Sequence, residues 1–250
     1  MFRHSALLLL ALAFATSGHA QQLNLNSVSI PTNSPAANAP VINAFSPTAA
    51  SSKTSTDVVV LLHQAYELLQ QKQNDAALDK VNQVIQISPK NLDAFGIRGG
   101  IYAAKKQWDL AGKDYLTVLQ IDATNTQAKF NLGEIQFMQK KYDVARTSFD
   151  TLKHDRDLGD LAAYKVFLCD LLGGHDDIAA TELAAFDTVA PGPSFYFGKA
   201  AWCLYHKQTE DARSWLQSAA GIYLPQKFKL YAASLFDLGY LPLPAPPQKS

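Results

Sequence analysis

Residues 91–121, NLDAFGIRGGIYAAKKQWDLAGKDYLTVLQI, decide the fold. Apolar residues recur at three- and four-residue spacing in two runs, about 91–105 and 108–121, which is the period of amphipathic helices. Asn91 stands where an N-cap side chain accepts from the first free backbone N–H groups. The polar Lys105-Lys106-Gln107 separates the runs and predicts a tight turn between antiparallel helices. Ala111 belongs to a wider register: Ala77, Ala111, Ala145 and Ala179 stand 34 residues apart, and Ala212 follows 33 later. One such hairpin cannot bury its own apolar face, whereas a stack of them can.

Working outward, the same pattern predicts hairpins at 57–71 with 74–88, 125–139 with 142–154, 159–172 with 176–187, and 194–206 with 209–221. A last helix, 226–238, has no second helix and reads as a cap. Ser88-Pro89, Gly173-Gly174 and Pro191-Gly192-Pro193 supply the breaks, because proline cannot continue a helix and glycine tolerates the left-handed turn that ends one. The predicted class is all-α, a right-handed solenoid over residues 57–239 with a C-terminal capping helix.

The first twenty residues, MFRHSALLLLALAFATSGHA, carry a basic start, an apolar run and small residues before Gln21, the pattern of a secretory signal peptide. The run is roughly ten residues, short of the ~20 that span a bilayer. Residues 21–56 are rich in Asn, Ser, Thr, Ala and Pro and read as a disordered linker, although Leu23, Leu25, Val28, Ile30, Val41, Ile42 and Phe45 are apolar spots within it. Residues 240–250 form a proline-rich tail. With 22 basic and 22 acidic residues, the chain lacks the basic field that nucleic acid or an anionic membrane would need. The mature chain offers no membrane span, and the sequence predicts an exported protein, periplasmic or secreted.

The register resembles that of the tetratricopeptide repeat family. Residues 92–125 place Phe95, Gly99, Tyr102, Ala111, Tyr115 and Val118 at the family's preferred positions. Residues 58–91 place Leu61, Ala65, Leu68, Ala77, Val81, Val84 and Pro89 there, and residues 126–159 place Leu132, Gly133, Ala145, Phe149 and Leu152. The fourth unit departs, with Phe167 where a small residue is preferred, and the fifth is one residue short. The resemblance implies that first helices line a concave surface. Carried over by position, the partner-binding groove is Tyr66, Leu69, Gly96, Gly100, Phe130, Glu134, Phe137, Met138, Tyr164, Phe197 and Tyr205. Such an apolar, aromatic lining suits a protein or peptide partner. It lacks the lysines with which chaperone-binding members of the family grip a terminal carboxylate. Filling by residues 21–56 or by a second copy, giving a homo-oligomer, is the alternative.

No catalytic set emerges. His63, His154, His175 and His206 fall at different repeat positions, so the stack does not converge them on a metal. His175-Asp176-Asp177 reads as an acidic helix start, and no Gly-Lys-Ser/Thr follows Gly99-Gly100 or Gly173-Gly174 to make a phosphate loop. No cofactor is implied. Cys169 and Cys203, 34 residues apart on neighbouring first helices, read either as a disulfide or as two small buried thiols. The functional expectation is a non-enzymatic binding scaffold of the cell envelope.

Overall fold

The structure, a computed structural model, describes residues 52–241. Among them are eleven helices and no strand. They fall into two compact units, residues 52–125 and 126–241. The linker expectation for 21–51, the leader at 1–20 and the tail at 242–250 lie outside the described residues.

The first unit contains α1 (Ser52–Gln70), α2 (Asn74–Ile87), α3 (Leu92–Ala104) and α4 (Trp108–Ile121). α1 pairs with α2, α3 pairs with α4, and α2 packs on α3. Ala65, Leu69, Ala77, Val81, Val84, Ala94, Ile97 and Ile101 form one buried cluster. α1 begins at Ser52, five residues before the expected start at Asp57. Nothing between Ser52 and Thr56 breaks a helix, and the last upstream proline is Pro47. Asn91 caps α3, its Oδ1 accepting from the Ala94 N–H at 2.8 Å.

The second unit contains α5 (Thr126–Met138), α6 (Tyr142–Asp150), α7 (Gly159–Gly173), α8 (Asp176–Ala185), α9 (Pro193–Tyr205), α10 (Thr209–Ile222) and α11 (Pro225–Asp237). α7 lies at its centre, packed on α6, α8 and α9. It is buried almost all round, from Leu161 and Ala162 through Tyr164 to Leu171. α6 stops at Asp150 rather than 154. Asp155 Oδ1 accepts from the N–H groups of Asp157 and Leu158, which turns the chain towards α7.

The alanine register has a physical cause in the packing. Ala77, Ala111, Ala145 and Ala179 have no exposed surface, and Ala212 has almost none. A Cβ added to Gly99 would lie 2.9 Å from the Tyr115 ring, and one on Gly133 would lie 2.8 Å from the Phe149 ring. Each glycine therefore makes room for a large ring on its partner helix. The fourth hairpin departs from this exchange: Phe167 fills the small-residue position, Leu183 takes the register position of the large ring, and the Phe167 ring packs edge-on against Phe186 at 6.1 Å.

Six helices end alike. Lys72, Lys106, Lys140, Gly174, Lys207 and Gly239 all have positive φ, between 58° and 82°. At each end two N–H groups turn back to carbonyls of the last turn, as Lys106 to Ala103 and Gln107 to Tyr102 do. This is the Schellman motif, which satisfies carbonyls a helix end leaves free. α11 shares it, through Gly239 to Phe236 and Tyr240 to Leu235. It thus ends as the first helix of a further hairpin would.

Candidate partner-binding face

The groove residues carried over by position divide into open and closed sets. In the first unit Tyr66 is half-buried, while Leu69, Gly96 and Gly100 are buried. In the second unit Met138 and Tyr205 are half-buried. Phe130, Glu134, Phe137, Tyr164 and Phe197 are closed to solvent.

Each closed residue has an identifiable cover. Phe130 packs edge-on against Phe149 at 5.1 Å, and Phe137 against Tyr142 at 5.6 Å. Glu134 forms an ion pair with Lys165 of α7 at 2.5 Å, with the two residues 2% and 3% exposed. The Lys165 ammonium also lies 5.1 Å from the Phe137 ring centroid, a cation–π distance. Glu134 and Lys165 are 31 positions apart in different hairpins, and no periodic signal pairs them.

Tyr164 and Phe197 are covered by α11. The Tyr231 ring lies 5.7 Å from Tyr164 and 5.5 Å from Phe197, and Phe228 lies 5.2 Å from Phe197. Tyr231 OH donates to Asp160 Oδ2 at 2.6 Å, and Ser194 Oγ donates to Asp160 Oδ1 at the same distance. One carboxylate thereby ties α11 to the starts of α7 and α9. Burial, and then the Asp160 charge, push the Tyr231 phenol above its ordinary value. Burial and the nearby Glu134 carboxylate do the same to Tyr164.

Inside the second unit several polar atoms are buried without a hydrogen-bond partner. They include Asn131 Nδ2, Tyr164 OH and Ser234 Oγ. Ser234 lies on α11, three residues beyond Tyr231. Among buried polar atoms most find partners, and these three, on α5, α7 and α11, do not.

The cysteines are free and buried. Of the two readings of Cys169 and Cys203, the structure has the two small buried thiols and not the disulfide. Burial pushes the Cys169 thiol up, away from the reactive thiolate. Among the described residues no three His, Cys, Asp or Glu side chains gather as a metal site. His175 Nδ1 stands 3.6 Å from Asp170 and His206 Nε2 stands 3.7 Å from Asp176. The acidic start of α8 and its preceding turn are thus tied to neighbouring elements. No helix among the described residues is long and apolar enough to cross a membrane.

One periodic feature escaped the sequence reading. The residue before three of the five register alanines, Ala111, Ala145 and Ala179, is a large aliphatic one, Leu110, Val144 and Ile178, and each of these is about half exposed. The 34-residue spacing carried that signal in plain view.

Helical hairpins with small residues facing large rings define the class, a tetratricopeptide-type repeat fold, and solved structures agree. The chain is similar to YrrB, a TPR protein with an unusual peptide-binding site, at 18% identity over 73% of this chain and 95% of that one, with a TM-score of 0.51. It is similar to PilF of Pseudomonas aeruginosa at 17% identity over 76% and 89%, with a TM-score of 0.55. PilW, a type IV pilus biogenesis factor, gives 19% identity over 76% and 90%, with a TM-score of 0.54. No family model and no curated protein matches the sequence.

Proposed function

We propose that this chain is a non-enzymatic polypeptide-binding scaffold that works outside the cytoplasm, through the faces of its first helices. The observation that carries this is the chemistry of those faces. At the groove positions stand Tyr66 in the first unit and Met138 and Tyr205 in the second, all half-buried, and the second unit also has Tyr164 and Phe197 under α11. Aromatic and Met side chains on helix faces are anchors for polypeptide, since they offer large contact area at low entropic cost. An amphipathic helix of the chain itself, α11, already occupies part of that surface. The solved structures support the same use, with a peptide-binding site in YrrB and a role in type IV pilus biogenesis for PilW. Export rests on the leader-like residues 1–20.

Affinity capture from the native host tests this. Tyr66→Ala combined with Tyr205→Ala removes two half-buried rings and leaves the packed core alone. The double variant is expected to keep its helical circular dichroism and to lose the captured polypeptide. Undiminished capture would contradict the assignment.

A further inference from the structure

α11 is seated as a bound helix would be. It meets α7 and α9 through Phe228 and Tyr231, and with the buried Leu235 these stand at i, i+3 and i+7, the spacing of one helix face. Phe228 and Tyr231 lie on Phe197 and Tyr164, two positions that the repeat register assigns to the partner groove. Leu235 is fully buried. Tyr231 spans past α9 to reach α7, and its hydroxyl makes the hydrogen bond to Asp160.

The seat is incomplete. Tyr164 OH, on the receiving surface, and Ser234 Oγ, on α11 itself, are both buried without a hydrogen-bond partner. A buried, unpaired polar group costs free energy that a better-matched occupant recovers. α11 is also joined to α10 by only Tyr223 and Leu224, and Leu224 is 65% exposed. Tyr223 is held by the Pro191 carbonyl at 3.3 Å and the Tyr196 ring, which leaves Leu224 as the exposed joint about which α11 would turn.

We infer that α11 is a stand-in for the external ligand. The α7–α9 surface beneath it binds an amphipathic helix presenting an aromatic residue, a second aromatic three residues on and an aliphatic residue four beyond that, with a polar group set against Tyr164. The partner displaces α11 to reach this surface. The inference rests on the binding function proposed above and names the site and the kind of partner for it.

Amide hydrogen exchange on the full chain tests it without any partner in hand. α11 amides are expected to exchange at least about tenfold faster than α7 and α9 amides, through local opening. Tyr164→Phe and Ser234→Ala each remove one unpaired oxygen and keep the shape, so each is expected to slow α11 exchange several-fold while leaving α7 unchanged. A synthetic peptide of residues 224–241, added in excess, is expected to bind the full chain saturably, and Phe228→Ala in the chain, which loosens its own α11 but not the wild-type peptide, is expected to strengthen that binding several-fold. Equal exchange of α11 and α7 in the wild-type chain would make α11 an integral cap and overturn the inference. Peptide binding that Phe228→Ala leaves unaltered would also overturn it. Concentration-dependent dimers by light scattering that vanish when the peptide is added would place α11 in a second copy, against the stated partner. Failure of affinity capture alone would leave these readouts intact, so the two claims fail separately.

Discussion

At the scale of single residues, the turns carry an unexpected cost. Lys72, Lys106, Lys140 and Lys207 adopt left-handed backbone, where a Cβ crowds the following carbonyl. In the sequence Lys105-Lys106-Gln107 reads only as a tight turn, because a positive φ leaves no periodic trace when the residue is not glycine. Lys106→Gly is expected to stabilise the first unit by about 0.5–1 kcal/mol, since glycine holds this conformation without steric penalty; thermal melts of the two proteins check it. The register alanines are the opposite case and were fully legible. Ala111 has no exposed surface, so Ala111→Arg overpacks the α3–α4 hairpin and buries a charge, costing roughly 3 kcal/mol or more. A melting temperature equal to wild type would contradict the helix register.

At the scale of elements, legibility followed the repeat. Helix positions came from the 34-residue spacing and the breakers, down to the Asn91 cap. What was not legible lies between repeats of unequal geometry. α7 carries apolar residues almost all round, and helical period alone cannot say which face of such a helix is open. Its Lys165 answers Glu134 across the α5–α7 boundary, and α11 covers Tyr164 and Phe197. A positional rule for the groove therefore named side chains that this chain spends on its own interior. Removing one partner of a buried ion pair strands the other charge. Lys165→Met is expected to cost about 3–5 kcal/mol, whereas Lys165→Met with Glu134→Leu recovers most of it. Denaturant midpoints for the two variants make the comparison, and equal losses would show that the pair is not coupled.

At the scale of the whole molecule, the charge is balanced and the consequences of pH arise from burial. Tyr164 and Tyr231 are raised above their ordinary 10.0 and Cys169 above its ordinary 9.0, in each case chiefly by burial. A raised folded-state value means that the native chain holds the proton longer than the unfolded chain does. The stabilisation is present in full below the unfolded values and is lost as the pH rises above them. Melts across pH are expected to be flat on this account up to about 9 and to fall steeply beyond 10, with the second unit opening first. Tyr231 OH donates to Asp160, so ionisation also breaks the tie that holds α11. Alkaline exposure of α11 should precede loss of α7 in hydrogen exchange.

The most direct test of the central claim is site-specific photo-crosslinking in the native host. A photoreactive residue placed at Tyr66, Met138 or Tyr205 is expected to capture a polypeptide, while the same residue at Lys113 or Gln217, exposed positions on second helices, captures far less. Equal capture from both sets, or none from the first-helix positions, would contradict the binding role of that face.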